Sequence, residues 1–292
     1  MSTTHHSEYL QLASVYLKSV KDAFVSHQHL SKQWKELNYI SCPDFEKALE
    51  EYKSLKKCLE QQQVNISYFS KDDQVKIDSI YCRDASIATN FGLIICNMGK
   101  GGRIEEPKSQ LKTYQKNNIP VLGEIQFPGT LEGGDVAWLD EQTLAVGHTY
   151  RTNEEGIAQL KKLLEPKGIH IIIVELPHYK GKNDVFHLMS ILSPIDKNLA
   201  VVYSPLMPIK FRNELLYRGF ELIEVPEEEF ESMGCNVLAI APRNCIVVKG
   251  NSKTKKLLEA AGCNVTVYKG EEISIKGGGG PTCLTRPLLR SF

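Results

Sequence analysis

No stretch of 18 or more apolar residues occurs in this chain, so nothing in it reads as a membrane-crossing helix. Its eight cysteines, at positions 42, 58, 82, 96, 235, 245, 263 and 283, include no Cys-x-x-Cys pair and no Cys/His cluster at metal-ligand spacing, which leaves neither a disulfide framework nor a structural zinc site to expect. Charge of one sign is not in excess either. Lys plus Arg and Asp plus Glu each total 35, which argues against a basic face built to neutralise nucleic-acid phosphates and suits a small neutral or zwitterionic partner. The first thirty residues spread charges through what would be the apolar core of a signal segment, and a cytoplasmic protein is expected. A G-x-x-x-x-G-K-[ST] run is missing, which removes the commonest phosphate-binding loop. No Gly, Ser or Pro-rich linker divides the 292 residues, so one domain over 1–292 is expected.

What is present is a repeat. A helix-like stretch, a polar or glycine break and a short β-branched run recur five times, the runs being VNISYF from Val64, IPVLGEI from Ile119, IHIIIVEL from Ile169, FELIEV from Phe220 and CNVTVY from Cys263. Their spacing of roughly 50 residues fits a repeat architecture as well as an ordinary alternating α/β chain. The stretches PDFEKALEEYKSLKKCLEQQ, RTNEEGIAQLKKLLEPKG and NSKTKKLLEAAG carry apolar residues at helical spacing. The second has Thr152 or Asn153 as its cap and a Pro-Lys-Gly stop.

After each run comes a polar, glycine-rich or proline-rich turn and then a strand-like pair. Four of the five segments place a chemically capable residue at the start of the first strand: Asp84, Glu132, His187 and Cys283, with Asn236 in the remaining one. Modules arranged around an axis would bring these five strand starts to one pocket.

Each candidate has a plain alternative. The glycines 277–280 suit a flexible turn, but Pro281 and Cys283 directly beyond them resemble a thiol delivered to the rim of a pocket. His187 lies among apolar residues, where a satisfied core histidine is common, yet of the eight histidines it alone holds the repeat position that Cys283 holds. Glu132 suits the group that orients an imidazole and stabilises its cation. Asp135 reads as a turn residue bonded to local amides. Asp84 follows Arg83, so a structural ion pair between them is open. Arg103 and Arg151 follow glycine-containing loops, and a planar guanidinium suits two-point binding of a carboxylate.

The pairs RD at 83–84 and EGGDV at 132–136, the stretch GHTYRTNEEG, FHL at 186–188, GCNVLAIAP at 234–242 and GGGPTCLTRPL at 278–288 together resemble the guanidine-modifying or pentein superfamily, over about residues 15 to 290. That group includes dimethylarginine dimethylaminohydrolases, arginine deiminases and amidinotransferases. The resemblance implies a five-fold pseudosymmetric α/β propeller with its active site on the axis. It implies Cys283 as nucleophile, His187 as general acid then base, Glu132 as the partner of His187, Asp84 as a guanidinium ligand, Arg103 and Arg151 as ligands of a substrate carboxylate, and a structural role for Asn236. It also implies a guanidino amino acid as substrate, with no metal or organic cofactor; a homodimer is compatible with it.

Two departures separate the branches. Deiminases typically have an aspartate two residues after the histidine, where this chain has Met189, and an arginine five residues before the cysteine, where it has Gly278. HLMS resembles the dimethylarginine hydrolases, which points to N-methylated arginine; the GGGPTCLTRPL ending looks more like deiminases and amidinotransferases. A binding protein that kept the fold without the chemistry is the reading from another class. The retention of Cys283, His187, Glu132 and Asp84 together speaks against it.

Overall fold

The computed structural model of the chain describes residues 4–184 and 186–291. Strand β1 (Gln11–Leu17) is followed by the helix Phe45–Gln61 and by β2 (Asn65–Tyr68), which runs parallel to β1. Four modules of identical plan come next. In each, two strands form an antiparallel pair, a helix crosses over, and a third strand returns parallel to the second. They are β3 (Ser86–Thr89), β4 (Gly92–Ile95) and β5 (Val121–Glu124); β6 (Val136–Asp140), β7 (Thr143–His148) and β8 (His170–Glu175); β9 (Leu192–Asp196), β10 (Leu199–Val202) and β11 (Glu221–Glu224); and β12 (Leu238–Ala241), β13 (Asn244–Val248) and β14 (Asn264–Tyr268). The last strand, β15 (Arg286–Ser291), pairs antiparallel with β1 from Gln11↔Ser291 to Tyr16↔Arg286, so the fifth sheet has the order β15-β1-β2.

The five β-branched runs noted in the sequence are the outer strands β2, β5, β8, β11 and β14. The expectation of a strand pair after each run needs one correction. After the fifth run only β15 follows, and its partner is β1, from an N-terminal segment that lies ahead of the five runs. The helices begin where side chains satisfy their first amides. Asp44 Oδ1 accepts from Lys47 N at 3.0 Å. Of the two caps expected for the helix Glu154–Leu164, Asn153 serves, accepting from Gly156 N at 2.8 Å, while the Thr152 hydroxyl is engaged elsewhere, with Asp135. Gly168, at φ 80°, ends the turn that follows this helix.

The first strands of the sheets, β3, β6, β9, β12 and β15, are almost wholly buried. β6 lies beside β9, β9 beside β12, and β3 beside β15. Residues just ahead of these inner strands therefore meet at one end of the axis. No helix among the described residues is long and apolar enough to cross a membrane.

One support for that end comes from far away in sequence. Glu51, on the helix Phe45–Gln61, accepts from the amides of Glu271, Glu272 and Ile273 at 3.0, 2.8 and 3.2 Å, holding the short π-helical turn Glu271–Ile275 that feeds the glycine loop. Glu51→Ala leaves three amides without their acceptor. It is expected to lower the unfolding free energy by about 2–3 kcal/mol, read from a denaturant titration, with a larger fractional loss of activity than of stability because the loop carrying Cys283 loosens.

Candidate active site

All five residues expected at the strand starts lie two to five positions ahead of an inner strand: Asp84 before β3, Glu132 before β6, His187 before β9, Asn236 before β12 and Cys283 before β15. Asp84, His187, Asn236 and Cys283 line one cavity of about 270 Å³, together with Arg151 and Met189. Glu132 is fully buried behind His187, whose Nε2 donates to Glu132 Oε2 at 2.8 Å. The other oxygen, Oε1, accepts from Lys100 N at 2.9 Å and lies 3.7 Å from Arg151 Nη1.

Close backbone approach explains the glycines. A Cβ on Gly134 would fall 2.4 Å from His187 Nδ1 and 2.8 Å from Asp84 Oδ1, so any larger residue would displace both. In the run 277–280, Gly278 has φ 74°, a conformation that L side chains resist, which is a physical reason against an arginine there. Gly279 presses on the Tyr81 ring and on Cys283 Cβ, which a Cβ would meet at 2.5 and 3.1 Å.

Asn236 does more than the structural role expected of it. Its Oδ1 accepts from the amide and hydroxyl of Thr282 at 3.0 and 2.8 Å, and its Nδ2 donates to Cys283 Sγ at 3.3 Å. Burial, and behind it the charge of Asp84, pushes the Cys283 thiol up from its ordinary value. Burial alone would push the His187 imidazolium down. The charges of Asp135 and Asp84 and the bond to Glu132 outweigh it and hold His187 up at about 9. Burial works against the Glu132 carboxylate too, but its bond to His187 and the charges of His187, Arg151 and Arg103 hold it below the ordinary range.

Asp135 also departs from expectation. It does not bond local amides: Oδ2 accepts from the hydroxyls of Thr149 and Thr152, each at 2.7 Å, and Oδ1 from the amide of Leu188 at 3.1 Å, 53 residues away. It thus ties the second module to the residue beside His187. Its burial raises its pKa to about 6.

The anticipated ion pairs are rearranged. Arg83 bonds to Glu8 at 2.8 Å, not to Asp84. Asp84 Oδ2 instead receives Arg103 Nη1 at 2.5 Å, and Arg103 also donates from Nε and Nη2 to Glu106 at 2.9 and 2.8 Å and from Nη2 to Tyr81 O at 2.8 Å. Arg103, expected as a ligand of a substrate carboxylate, lines the cavity with its guanidinium bonded to two buried carboxylates, Asp84 and Glu106. Arg151 keeps a buried Nη1 without a hydrogen-bond partner, as does Asp84 its Oδ1. A further pair was not visible in the sequence: Lys100 Nζ donates to Asp78 Oδ2 at 2.6 Å in the cavity wall, a contact across 22 positions that no repeat or spacing signals.

Asp84, Glu132 and His187 offer ligand atoms within 4.8 Å of one another. A ring hydrogen-bonded to Glu132 and held protonated up to about pH 9 has no lone pair to give a metal at Nε2, so the trio suits an organic cation better. In Glu132→Gln, the His187 titration followed by NMR is expected to fall back towards the ordinary histidine value, because the buried cation loses its bonded anion.

The chain matches the family model described as "N,N dimethylarginine dimethylhydrolase, eukaryotic" over residues 22–290. It is 27% identical over 248 residues to the N(G),N(G)-dimethylarginine dimethylaminohydrolase of Pseudomonas aeruginosa, covering 85% of this chain and 91% of that one. It is 28% identical over 249 residues to the arginine deiminase of Listeria welshimeri, where it spans 61% of the relative. Among solved structures, a dimethylarginine dimethylaminohydrolase adduct with S-methyl-L-thiocitrulline superimposes with a TM-score of 0.77 at 25% identity, covering 96% of this chain and all of that one. The N-terminal domain of the cyanobacterial arginine dihydrolase ArgZ, at a TM-score of 0.81 and 17% identity over 95% of this chain and 97% of that one, shares the fold.

Proposed function

Since the chain belongs to the N,N dimethylarginine dimethylhydrolase family, we propose that it is a cysteine-dependent hydrolase of guanidino amino acids, with N-methylated arginine as its substrate and citrulline and an alkylamine as products. The observation that carries this reading is the conjunction of a thiol, an imidazolium bonded to a carboxylate, and an unpartnered buried Asp84 oxygen beside one cavity.

A guanidinium carbon is a poor electrophile because its charge is delocalised, so the cation must be held and the nucleophile presented in line. Asp84 Oδ1 takes guanidinium N–H groups, and Arg103 keeps that carboxylate in place from the other side as a positioning residue. A bound cation also favours the thiolate of Cys283, offsetting the burial that keeps it protonated in the free enzyme. Sγ bonds to the guanidinium carbon to give a tetrahedral adduct. The bond from that carbon to the substituted nitrogen breaks, and His187 gives its proton to the departing amine. What remains is a covalent thiouronium. Water, deprotonated by His187, adds to its carbon, the carbon–sulfur bond breaks, and Cys283 leaves as thiolate. Glu132 holds the ring and stabilises its charged form throughout. Arg151 Nη1 is the donor available to the substrate carboxylate.

Met189 supports the methylated substrate. It lines the cavity two residues after His187, at the position where a carboxylate would bind a bare terminal nitrogen. An apolar wall there accommodates methyl groups and gives an unsubstituted N–H no partner.

The test is release of amine and formation of a ureido product from arginine, mono- and dimethylarginine and agmatine, beside Cys283→Ser. Methylarginines are expected to turn over and the variant to lose activity by at least about 10³-fold. Ammonia from arginine alone would make the protein a deiminase, and product only with an added amine acceptor would make it an amidinotransferase. No turnover of any of them by folded protein would favour a binding protein. Arg151→Ala is expected to raise KM about tenfold or more for the methylarginines and to affect KM for agmatine far less, since agmatine has no carboxylate; any loss of kcat through Glu132 would be common to both.

The pH profile follows from the two titrations. Cys283 must lose its proton, and burial pushes that thiol up in the free enzyme, so kcat/KM rises with pH through neutral into the alkaline range. His187 must keep its proton for the leaving amine, so the rate falls as pH passes through about 9. A profile that already declines below neutral pH would overturn these two roles.

A further inference from the structure

Beyond Cys283, the inner strand β15 carries Arg286 and Arg290, four residues apart and so on one face. Arg83, immediately before Asp84, joins them. All three are nine-tenths or more buried. Their hydrogen bonds reach the inner strands of other modules: Arg286 Nη1 donates to Ser86 O of β3 at 2.6 Å, and Arg290 Nη2 donates to Ala239 O of β12 at 2.9 Å. Arg83 Nη2 donates to Glu8 Oε1, which also accepts from Trp138 N of β6 at 3.4 Å. The three guanidiniums therefore stand between the inner strands, on the axis of the ring.

Their charges do not balance. Among the described residues, Glu8 is the one carboxylate hydrogen-bonded to any of them, leaving three cations against one anion. Burial first, and then the charge of Arg83 on Arg286 and of Arg83 and Arg286 on Arg290, push these two down to about 10. A guanidinium does not shed its proton at neutral pH, so the excess positive charge must be met by another route. Arg83 Nε and Nη1 and Arg290 Nε have no hydrogen-bond partner. Water would satisfy these donors but not the charge, and uncompensated buried charge is strongly unfavourable.

We propose that this axial arginine cluster binds a small inorganic anion of the size of chloride, held by the unpartnered N–H groups of Arg83 and Arg290. Every unspent group there is a hydrogen-bond donor, which selects against cations, and enclosure by strands selects against anions as bulky as gluconate. The site adjoins the cavity of Cys283 and His187, since Arg83 also lines that cavity and its N donates to Cys283 O at 3.2 Å.

The test is thermal unfolding of the full chain at constant ionic strength, with sodium chloride or bromide replacing sodium gluconate. The midpoint is expected to rise by roughly 2–4 °C and then level off, as site binding requires. Arg290→Met, if it folds, is expected to lose that response. Crystals soaked in bromide provide the measurement that needs no variant, with an anomalous peak expected within about 3.5 Å of Arg83 Nη1 and Arg290 Nε. Equal midpoints in chloride and gluconate would overturn the proposal. So would water alone between the guanidiniums, because any salt response would then belong to the surface.

Discussion

The pairing of β15 with β1 is the constraint on which the rest of the structure depends. Four modules complete their own sheets, but the fifth exists only because the last strand lies against the first across almost the whole chain. Without that closure β15 has no middle strand beside it, and the strand start that carries Cys283 has no fixed place opposite His187. Backbone hydrogen bonds between the two ends hold the ring, and the ring makes five separate loops into one cavity. Such a closure is entropically expensive, since the loop it shuts spans most of the chain, and the buried inner strands on all sides offset it.

Charge decides what the cavity can hold. Nearly every ionised group in it is matched: Lys100 on Asp78, Arg103 on Asp84 and Glu106, His187 on Glu132. What is left over is one carboxylate oxygen on Asp84, one guanidinium nitrogen on Arg151, and Nε and Nη1 of Arg83. A ligand with a cation at one end and an anion at the other fits that remainder, which is the form of a guanidino acid. The same matching keeps His187 charged while Cys283 stays protonated, so the free site is at rest and a cationic ligand is needed to shift the thiol. Deeper along the axis the matching fails, and the arginines there outnumber their partners.

The outer strands, the crossover helices and the five strand-start residues were legible in the sequence because each is a local signal: a β-branched run, a capped amphipathic stretch, a reactive residue ahead of a strand. Four glycines before Cys283 signalled a close approach for the same reason, since only a backbone in need of space or of positive φ keeps them. The contacts of those residues were not legible. Arg103 and Arg151 occupy similar loops in successive modules and read alike, yet one is locked to Asp84 and Glu106 and the other keeps an Nη1 with no hydrogen-bond partner, 3.7 Å from Glu132. Asp135 sits in a tight turn and reads as a turn residue, yet its partners come from the following strand's loop and from beside His187.

The sequence by itself determined the alternation of strands and helices, the repeat, and the identity of the thiol, imidazole and carboxylates, because propensity, periodicity and side-chain chemistry are properties of residues and their near neighbours. Only the tertiary structure decided that β1 closes the ring, that Asn236 touches the sulfur, and which arginine keeps an N–H without a hydrogen-bond partner. Those outcomes depend on which groups meet after the chain has travelled around the axis. Spacing along the chain carries no record of that meeting, and a buried charge takes whichever partner the packed modules bring within hydrogen-bond reach.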